Sequence, residues 1–285
     1  MKCPVCSNEF HMFLFKSGNR HGRALQEPHT EFNVYQCHVC GLVGIPEVET
    51  DEPYYKQYYP QGYHLPTKSS LLGRAWDRFS SVLVQNKINR IKRCVKTPCK
   101  LLDVGCGDGG FLRQLDTRYF DAFGLEPVEE AVERAKQAGL NVLRGNILQD
   151  TPDPESFDIV TLWHVFEHIK DPQEALHRIN AILKPGGVLA MSMPNVNSLA
   201  FRLGGKYWFH LDSPRHLWLY NEANIHILLS STNFHVEYCS YLPFEFPLDL
   251  LWSIRHSLLG KFLLLFYPLI KVFDRQNMML VARKE

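Results

Sequence analysis

The stretch "KLLDVGCGDGGFL", residues 100–112, limits what this chain can fold into more than any other. A short apolar run ends in Gly105, Gly107, Gly109 and Gly110, which reads as a strand passing into a tight loop that opens a helix. Glycines at such a loop let a ligand press against the backbone and the first amides of the helix. The same alternation then repeats. "DAFGLEP" leads into the helical "VEEAVERAKQAG", "LNVLRGN" follows, and "FDIVTLW" precedes "DPQEALHRINAILKPGG" and "VLAMSMPN". Asp171 and Pro172 open the last of these helices and Gly186 and Gly187 are expected to close it. Such alternation predicts an α/β fold, a mostly parallel sheet with helices on both faces, whose ligands bind at the C-terminal ends of the strands. The second strand ends in Glu126, about twenty residues past the loop, where a carboxylate can accept both hydroxyl hydrogens of a ribose. An adenosine-type ligand is implied. Gly105, Gly107 and Gly110 also satisfy the dinucleotide spacing, so the loop alone does not choose between such ligands.

A second signal lies at the N-terminus. "CPVC" and "CHVCG" place Cys3, Cys6, Cys37 and Cys40 in two C-x-x-C pairs, and no βαβ pattern surrounds either of them. Four thiolates in two knuckles complete a tetrahedral structural zinc site, whose binding energy can fold a module too small to have its own core. His38 is a bystander inside the second knuckle. Residues 1–50 are therefore expected to form a zinc ribbon. Residues 51–68 form a tyrosine-rich connector or lid, with Tyr58 a candidate substrate contact. From Ser69 to Val95 apolar residues recur at near-helical spacing opposite a basic strip that includes Arg74, Arg78, Lys87, Arg90, Lys92 and Arg93.

The formal charge of +1 gives the whole molecule no field to hold DNA or attract nucleic acid at long range. The start "MKCPVCSNEF" has no apolar signal region, and no apolar run reaches the ~18 residues of a membrane span, so a cytoplasmic location is expected.

Taken together, "LLDVGCGDGGFL", "GLEP", "GNIL", "FDIVTLWHVFEHIKDP" and "ILKPGGVLAMSMPN" resemble, in order and spacing, the motifs of class I S-adenosylmethionine-dependent methyltransferases. The resemblance covers residues 100–195. It implies a Rossmann-like seven-stranded sheet within residues 69–285, closed by an antiparallel hairpin of "FHVEYCSYL" and "NMMLVARK". It also implies that Asp103 supports the glycine loop and that Gly105, Cys106 and Gly107 approach the methionine part of the cofactor. Glu126 and Pro127 would hold the ribose, Asn146 and Ile147 would flank the adenine, and Trp163 and His164 would line the methyl-transfer site. Many members have Asp where Asn146 stands; an amide can still bond the base edge.

"LWHVFEHI" contains the H-x-x-E-H order of an inverted zinc peptidase, but His164 directly follows a strand, which is the wrong context. In ubiquinone-pathway O-methyltransferases, which this stretch resembles, an E-x-x-E-H version is associated with a divalent metal. Here His164 takes the first position, leaving open whether His164, Glu167 and His168 hold a second ion. The loop 196–222 contains "DSPRHLWLY", similar to the P-R-H-L stretch of a subset of the family. Arg215 is suited to an anionic acceptor group and His216 to removing a proton, which makes His164, His168 and His216 the candidate acid–base residues. Glu167, Trp208, Arg215 and His216 are the candidate acceptor contacts in this region.

Residues 243–274 form an apolar insertion between the last two strands, read as one or two helices that cover an apolar substrate site or rest on a membrane surface. The expected activity is methyl transfer from S-adenosylmethionine to a small-molecule acceptor, glycosyl or lipid-linked. An RNA methyltransferase using the ribbon and the basic helix is the alternative, and a non-catalytic cofactor-binding module is the third reading.

Overall fold

In the computed structural model the described residues are 2–10, 12–18, 31–49, 71–150, 152–256 and 258–285. The connector 51–68, and Tyr58 with it, lies outside them. Seven strands make the central sheet: β4 (Cys99–Val104), β5 (Phe120–Glu126), β6 (Val142–Arg144), β7 (Phe157–Trp163), β8 (Leu183–Pro194), β10 (Phe234–Tyr241) and β11 (Asn277–Lys284). Their order is β10-β11-β8-β7-β4-β5-β6. The pairs from β8 to β6 are parallel, and β11 runs antiparallel between β8 and β10. The order reverses beside β4, so the loops after β4 and β7 open one crevice at the strand ends, where ligands of such sheets bind.

Alternate residues on each strand face opposite helical layers. Leu102, Val160 and Leu189 pack with Leu176 and Ile179 of α3 (Pro172–Ile182) and Leu228 of α5 (Glu222–Ser231), the short α4 (Leu199–Gly204) lying between these two helices in the chain. Leu101, Ile159 and Val188 pack instead with Ile88 and Ile91 of α1 (Leu71–Lys92) and Val132 of α2 (Glu129–Gln137). This two-sided burial is why the strands read as continuous apolar runs. Asp171 caps α3, accepting from the Glu174 amide at 3.1 Å, with Pro172 in the first turn. The helix stops at Ile182, however, and Gly186–Gly187 falls within β8 rather than closing it.

The ribbon is joined to the rest of the fold, because β1 (Met12–Gly18), β2 (Glu31–Gln36) and β3 (Val43–Gly44) are completed by β9 (Trp218–Leu219) from the P-R-H-L loop. A Cβ on Gly44 would lie 2.5 Å from the Trp218 ring and 2.6 Å from the Leu217 carbonyl, so only glycine allows this approach. Phe10, Cys37 and Leu42 of the ribbon share one core with Trp218 and the main sheet. The insertion is more than one or two helices: α6 (Asp249–Ile254), α7 (Leu258–Leu263) and α8 (Tyr267–Phe273) follow one another, with a 3-10 turn before α8. No helix among the described residues is long and apolar enough to cross a membrane.

Candidate active site

At the end of β4 the chain turns through Gly105 (φ +68°) and Gly107 (φ +56°), a left-handed backbone that side chains resist. Glu126, 4% exposed at the end of β5, reaches back to this loop. Its Oε2 accepts the Gly107 N–H and its Oε1 the Val128 N–H, each at 2.9 Å. Burial raises the Glu126 pKa and these two bonds oppose the rise. Asp103 is buried near the end of β4 and accepts the Thr161 hydroxyl at 2.6 Å. Burial pushes its pKa up to about 7 against the pull of Thr161 and of the Lys87 charge. Cys106 is buried under the loop, in space that Gly124 leaves on β5. Asn146 accepts the Leu148 N–H at 2.9 Å and orders the turn before buried Ile147, while Pro127 is exposed at the rim.

Across the crevice, β7 ends in Trp163 and His164. Trp163 packs on Phe111 (ring centroids 5.3 Å), and the Lys87 ammonium lies 4.5 Å over it. Its indole N–H has no hydrogen-bond partner among the described residues. His164 adopts φ +55°, a conformation uncommon outside glycine, with its N–H on the Ser192 carbonyl at 2.9 Å. This aims the imidazole between two carboxylates: Nδ1 is 3.4 Å from Glu167 Oε1 and Nε2 is 3.0 Å from Glu245 Oε2. Burial alone would lower the His164 pKa, but Glu245 and Glu167 overcome it and raise it to about 9. Glu167, fully buried, is brought down to about 2 by the surrounding histidines despite its desolvation.

His168 lies in the 3-10 turn Phe166–His168 rather than in a helix, and its Nδ1–H donates to the Arg215 carbonyl at 2.8 Å. The His216 Nδ1–H donates to the His210 carbonyl at 2.7 Å, and the His168 and His216 rings meet at 4.7 Å between centroids. Burial, then the His168 charge, lowers His216 to about 3, which leaves it neutral with a lone pair on Nε2. One ligand atom each from Glu167, His168 and His216 lies within 4.8 Å of the others, a set that could hold an ion. His164, which the sequence spacing grouped with Glu167 and His168, turns instead toward Glu245, and His216 takes the third position. Arg215 is 5% exposed and paired with Asp212 at 2.6 Å. Trp208 sits in the core under the insertion, its N–H bonded to Gln276 Oε1 at 2.9 Å.

Sequence reasoning missed two residues at this site. Lys87, assigned to the solvent strip of α1, is buried: it pairs with Glu245 and donates to Ser192 Oγ at 3.2 Å. Its signal was position, since Lys87 falls four residues from both Leu83 and Ile91, on the apolar face. Glu245 belongs to the insertion, where an acid within "PFEFPLDLL" marked an exception to the apolar pattern. Lys87 and His164 together hold its carboxylate well below the usual range in spite of burial.

In the ribbon, the Sγ atoms of Cys3 and Cys40, and of Cys6 and Cys37, are 3.5 Å apart, and all four lie within 4.8 Å of one another. A zinc–sulfur tetrahedron has edges of about 3.8 Å, so the four sulfurs fit one zinc ion. None of the eight cysteines is in a disulfide.

Residues 76–238, more than half of the chain, match the methyltransferase domain family. The chain belongs to that family. The methyltransferase is 29% identical over 159 residues to a ubiquinone biosynthesis O-methyltransferase of Azoarcus sp. (strain BH72), covering 50% of this chain and 68% of the relative. Another protein of that description, from Photorhabdus laumondii subsp. laumondii, is 34% identical over 112 residues, 36% of this chain and 45% of the relative. The match thus spans from under half to about two thirds of these relatives' length. Phosphoethanolamine N-methyltransferase 2 of Haemonchus contortus, solved with S-adenosyl-L-methionine, superposes with a TM-score of 0.55 at 19% identity, covering 84% of this chain and 60% of that one. An S-adenosylmethionine-dependent methyltransferase from Mesorhizobium loti gives 0.51 at 15% identity, covering 69% and 96%. These solved structures establish the shared fold.

Proposed function

We propose that this methyltransferase moves a methyl group from S-adenosylmethionine to a small-molecule acceptor. The observation that carries the proposal is the roof of the crevice: Glu245 and Phe246 of the insertion close directly over His164, with Phe246 5.1 Å from the imidazole. A site covered by the chain's own buried ion pairs suits a small acceptor and leaves little room for a folded macromolecule. Three of the six residues of the basic strip are engaged within the chain, while Arg78 and Arg93 are exposed. Lys87 is spent on Glu245, Arg90 on Ser240, and Lys92 lies over the Tyr119 ring.

The cofactor, once bound, supplies an activated methyl group on a sulfonium. The residues of this chain fit it: Glu126 at the end of β5 would meet a ribose, Asn146 and Ile147 would flank a base, and Trp163, whose N–H has no hydrogen-bond partner among the described residues, would line the transfer side. Transfer from a sulfonium is an in-line displacement, so alignment and exclusion of water carry most of the rate. His164, a cation between two carboxylates, acts by position and charge; His216, whose Nδ1–H is held by the His210 carbonyl and whose Nε2 lies about 4 Å from Glu167 and Asp212, is placed to take a proton from an acceptor hydroxyl and pass it toward those carboxylates. In this reading, the sequence-based role of His164 as an acid–base group passes to His216. The four cysteines hold a structural zinc that fixes the ribbon against β9.

Incubation with methyl-labelled cofactor and fractionated cell extract tests the proposal, with label expected in the small-molecule or lipid fraction. Label confined to RNA or protein would refute it, as would calorimetry in which Glu126→Ala leaves S-adenosylhomocysteine binding unchanged.

A further inference from the structure

The insertion has two faces of opposite character. Inward, Leu250 and Ile254 are buried in the core that holds Trp208, and Leu264, Tyr267 and Ile270 pack against it. Outward, Leu258 is 87% exposed, Leu265 76% and Phe273 72%, with Trp252, Phe262 and Leu269 about half exposed or more. The charges separate in the same way. Of the three acids of residues 244–275, Asp249 and Asp274 are buried and the Glu245 side chain is only 9% exposed, whereas Arg255, Lys261 and Arg275 are exposed. His210 and Lys271 hold Asp249, and Lys87 and His164 hold Glu245, so the acids anchor the insertion and the outer face is left apolar and cationic. Arg255 also stacks on Trp252 at 4.2 Å, which gives that indole a polar end.

From this segregation we infer that residues 248–273 dock on the surface of an anionic lipid bilayer, the apolar side chains entering the headgroup boundary and Arg255, Lys261 and Arg275 meeting lipid phosphates. An interfacial helix needs apolar residues on one side and cations at the rim, and this face supplies both. A second copy of the chain fits poorly, since it would bring the same cations and no exposed acid of this stretch to pair with them. Phe244 to Phe246 join this face to His164, so an apolar acceptor drawn from the bilayer would arrive next to the transfer site. The inference does not rest on the transfer reaction.

The test is co-sedimentation of the whole protein, without cofactor or acceptor, with extruded vesicles of phosphatidylcholine alone and of phosphatidylcholine mixed with phosphatidylglycerol. Binding is expected to the mixed vesicles and to weaken as salt rises. Phe262→Glu with Leu265→Glu should weaken it by more than about tenfold, and Lys261→Gln by about fivefold. Both changes are at exposed positions, so S-adenosylhomocysteine affinity should stay at the unmutated value; this separates a lost docking face from a damaged methyltransferase. Wild-type protein left in the supernatant with the mixed vesicles overturns the inference. Equal sedimentation of the double variant does so too, as does a dimer in solution that the double variant dissolves.

Discussion

Replacing Glu245 by glutamine should loosen the insertion and lower the stability of the whole protein. The carboxylate is buried against two cations, Lys87 and His164, and the side chains of both Glu245 and Lys87 are only 9% exposed. Removing one partner of such a pair leaves buried charge without compensation, at a cost of about 3–5 kcal/mol. Glutamine keeps the shape and can still accept from one neighbour, so about 3 kcal/mol is expected. For a chain of 285 residues the unfolding entropy is about 0.6 kcal/mol per degree, which converts that loss to roughly 5 °C in Tm. Differential scanning at neutral pH reads this directly. Hydrogen exchange adds the location: the Glu245 and Asp249 amides, bonded to the Leu242 and Phe246 carbonyls, should exchange faster while those of β4 and β7 keep their protection. Glu245→Leu combined with Lys87→Met should recover part of the loss, because it removes charge from both sides. A Tm within about 1 °C of the parent, with exchange in residues 243–249 unchanged, would refute the argument that these charges hold the insertion down.

Gly105→Ala should cut cofactor affinity by more than about tenfold in calorimetry, since the new Cβ would sit 2.5 Å from Val165 Cγ2 at φ +68°. Gly139→Ala, at φ +78° with nothing within 4 Å, is its control and should leave affinity alone. Asp103 sets a pH dependence. Its pKa is raised from 3.8 to about 7 on folding, so its contribution to stability is full below pH 3.8 and is lost as pH rises to about 7, a loss on the order of 4 kcal/mol. Asp103→Asn should therefore gain in Tm relative to wild type between pH 4 and about 7, and parallel Tm–pH curves would contradict this. Cys37→Ser should abolish the one zinc per chain read by elemental analysis. Because β3 pairs with β9, the variant should also increase exchange at Trp218–Leu219, and full zinc occupancy in it would rule out the four-cysteine site.

Much of the site was legible in the chain. The glycine loop, Glu126 and the strand–turn at His164 are local patterns, and each sits where a parallel sheet presents its C-terminal ends. Lys87 was misplaced because a basic residue on an amphipathic helix is read as solvated, while its partner Glu245 is 158 positions away. Arg215 and Trp208 were read as acceptor contacts within the P-R-H-L loop region, and the structure gives them partners that the sequence did not name, Asp212 and Gln276. The four cysteines could be paired from spacing, but the strand that completes their sheet comes from residues 218–219.

The sequence by itself determined the elements and the ligand-facing loops, because strand periodicity, glycine loops and helix caps act over a few residues. It also determined that four cysteines could meet one ion. Only the tertiary structure decided which face of α1 turned inward, that the ribbon shares a sheet with the P-R-H-L loop, and that the insertion supplies Glu245 to His164. These depend on contacts between residues far apart in the chain, formed only once the sheet order brings them together. There the desolvation of each charge must be matched by a partner that no local pattern names.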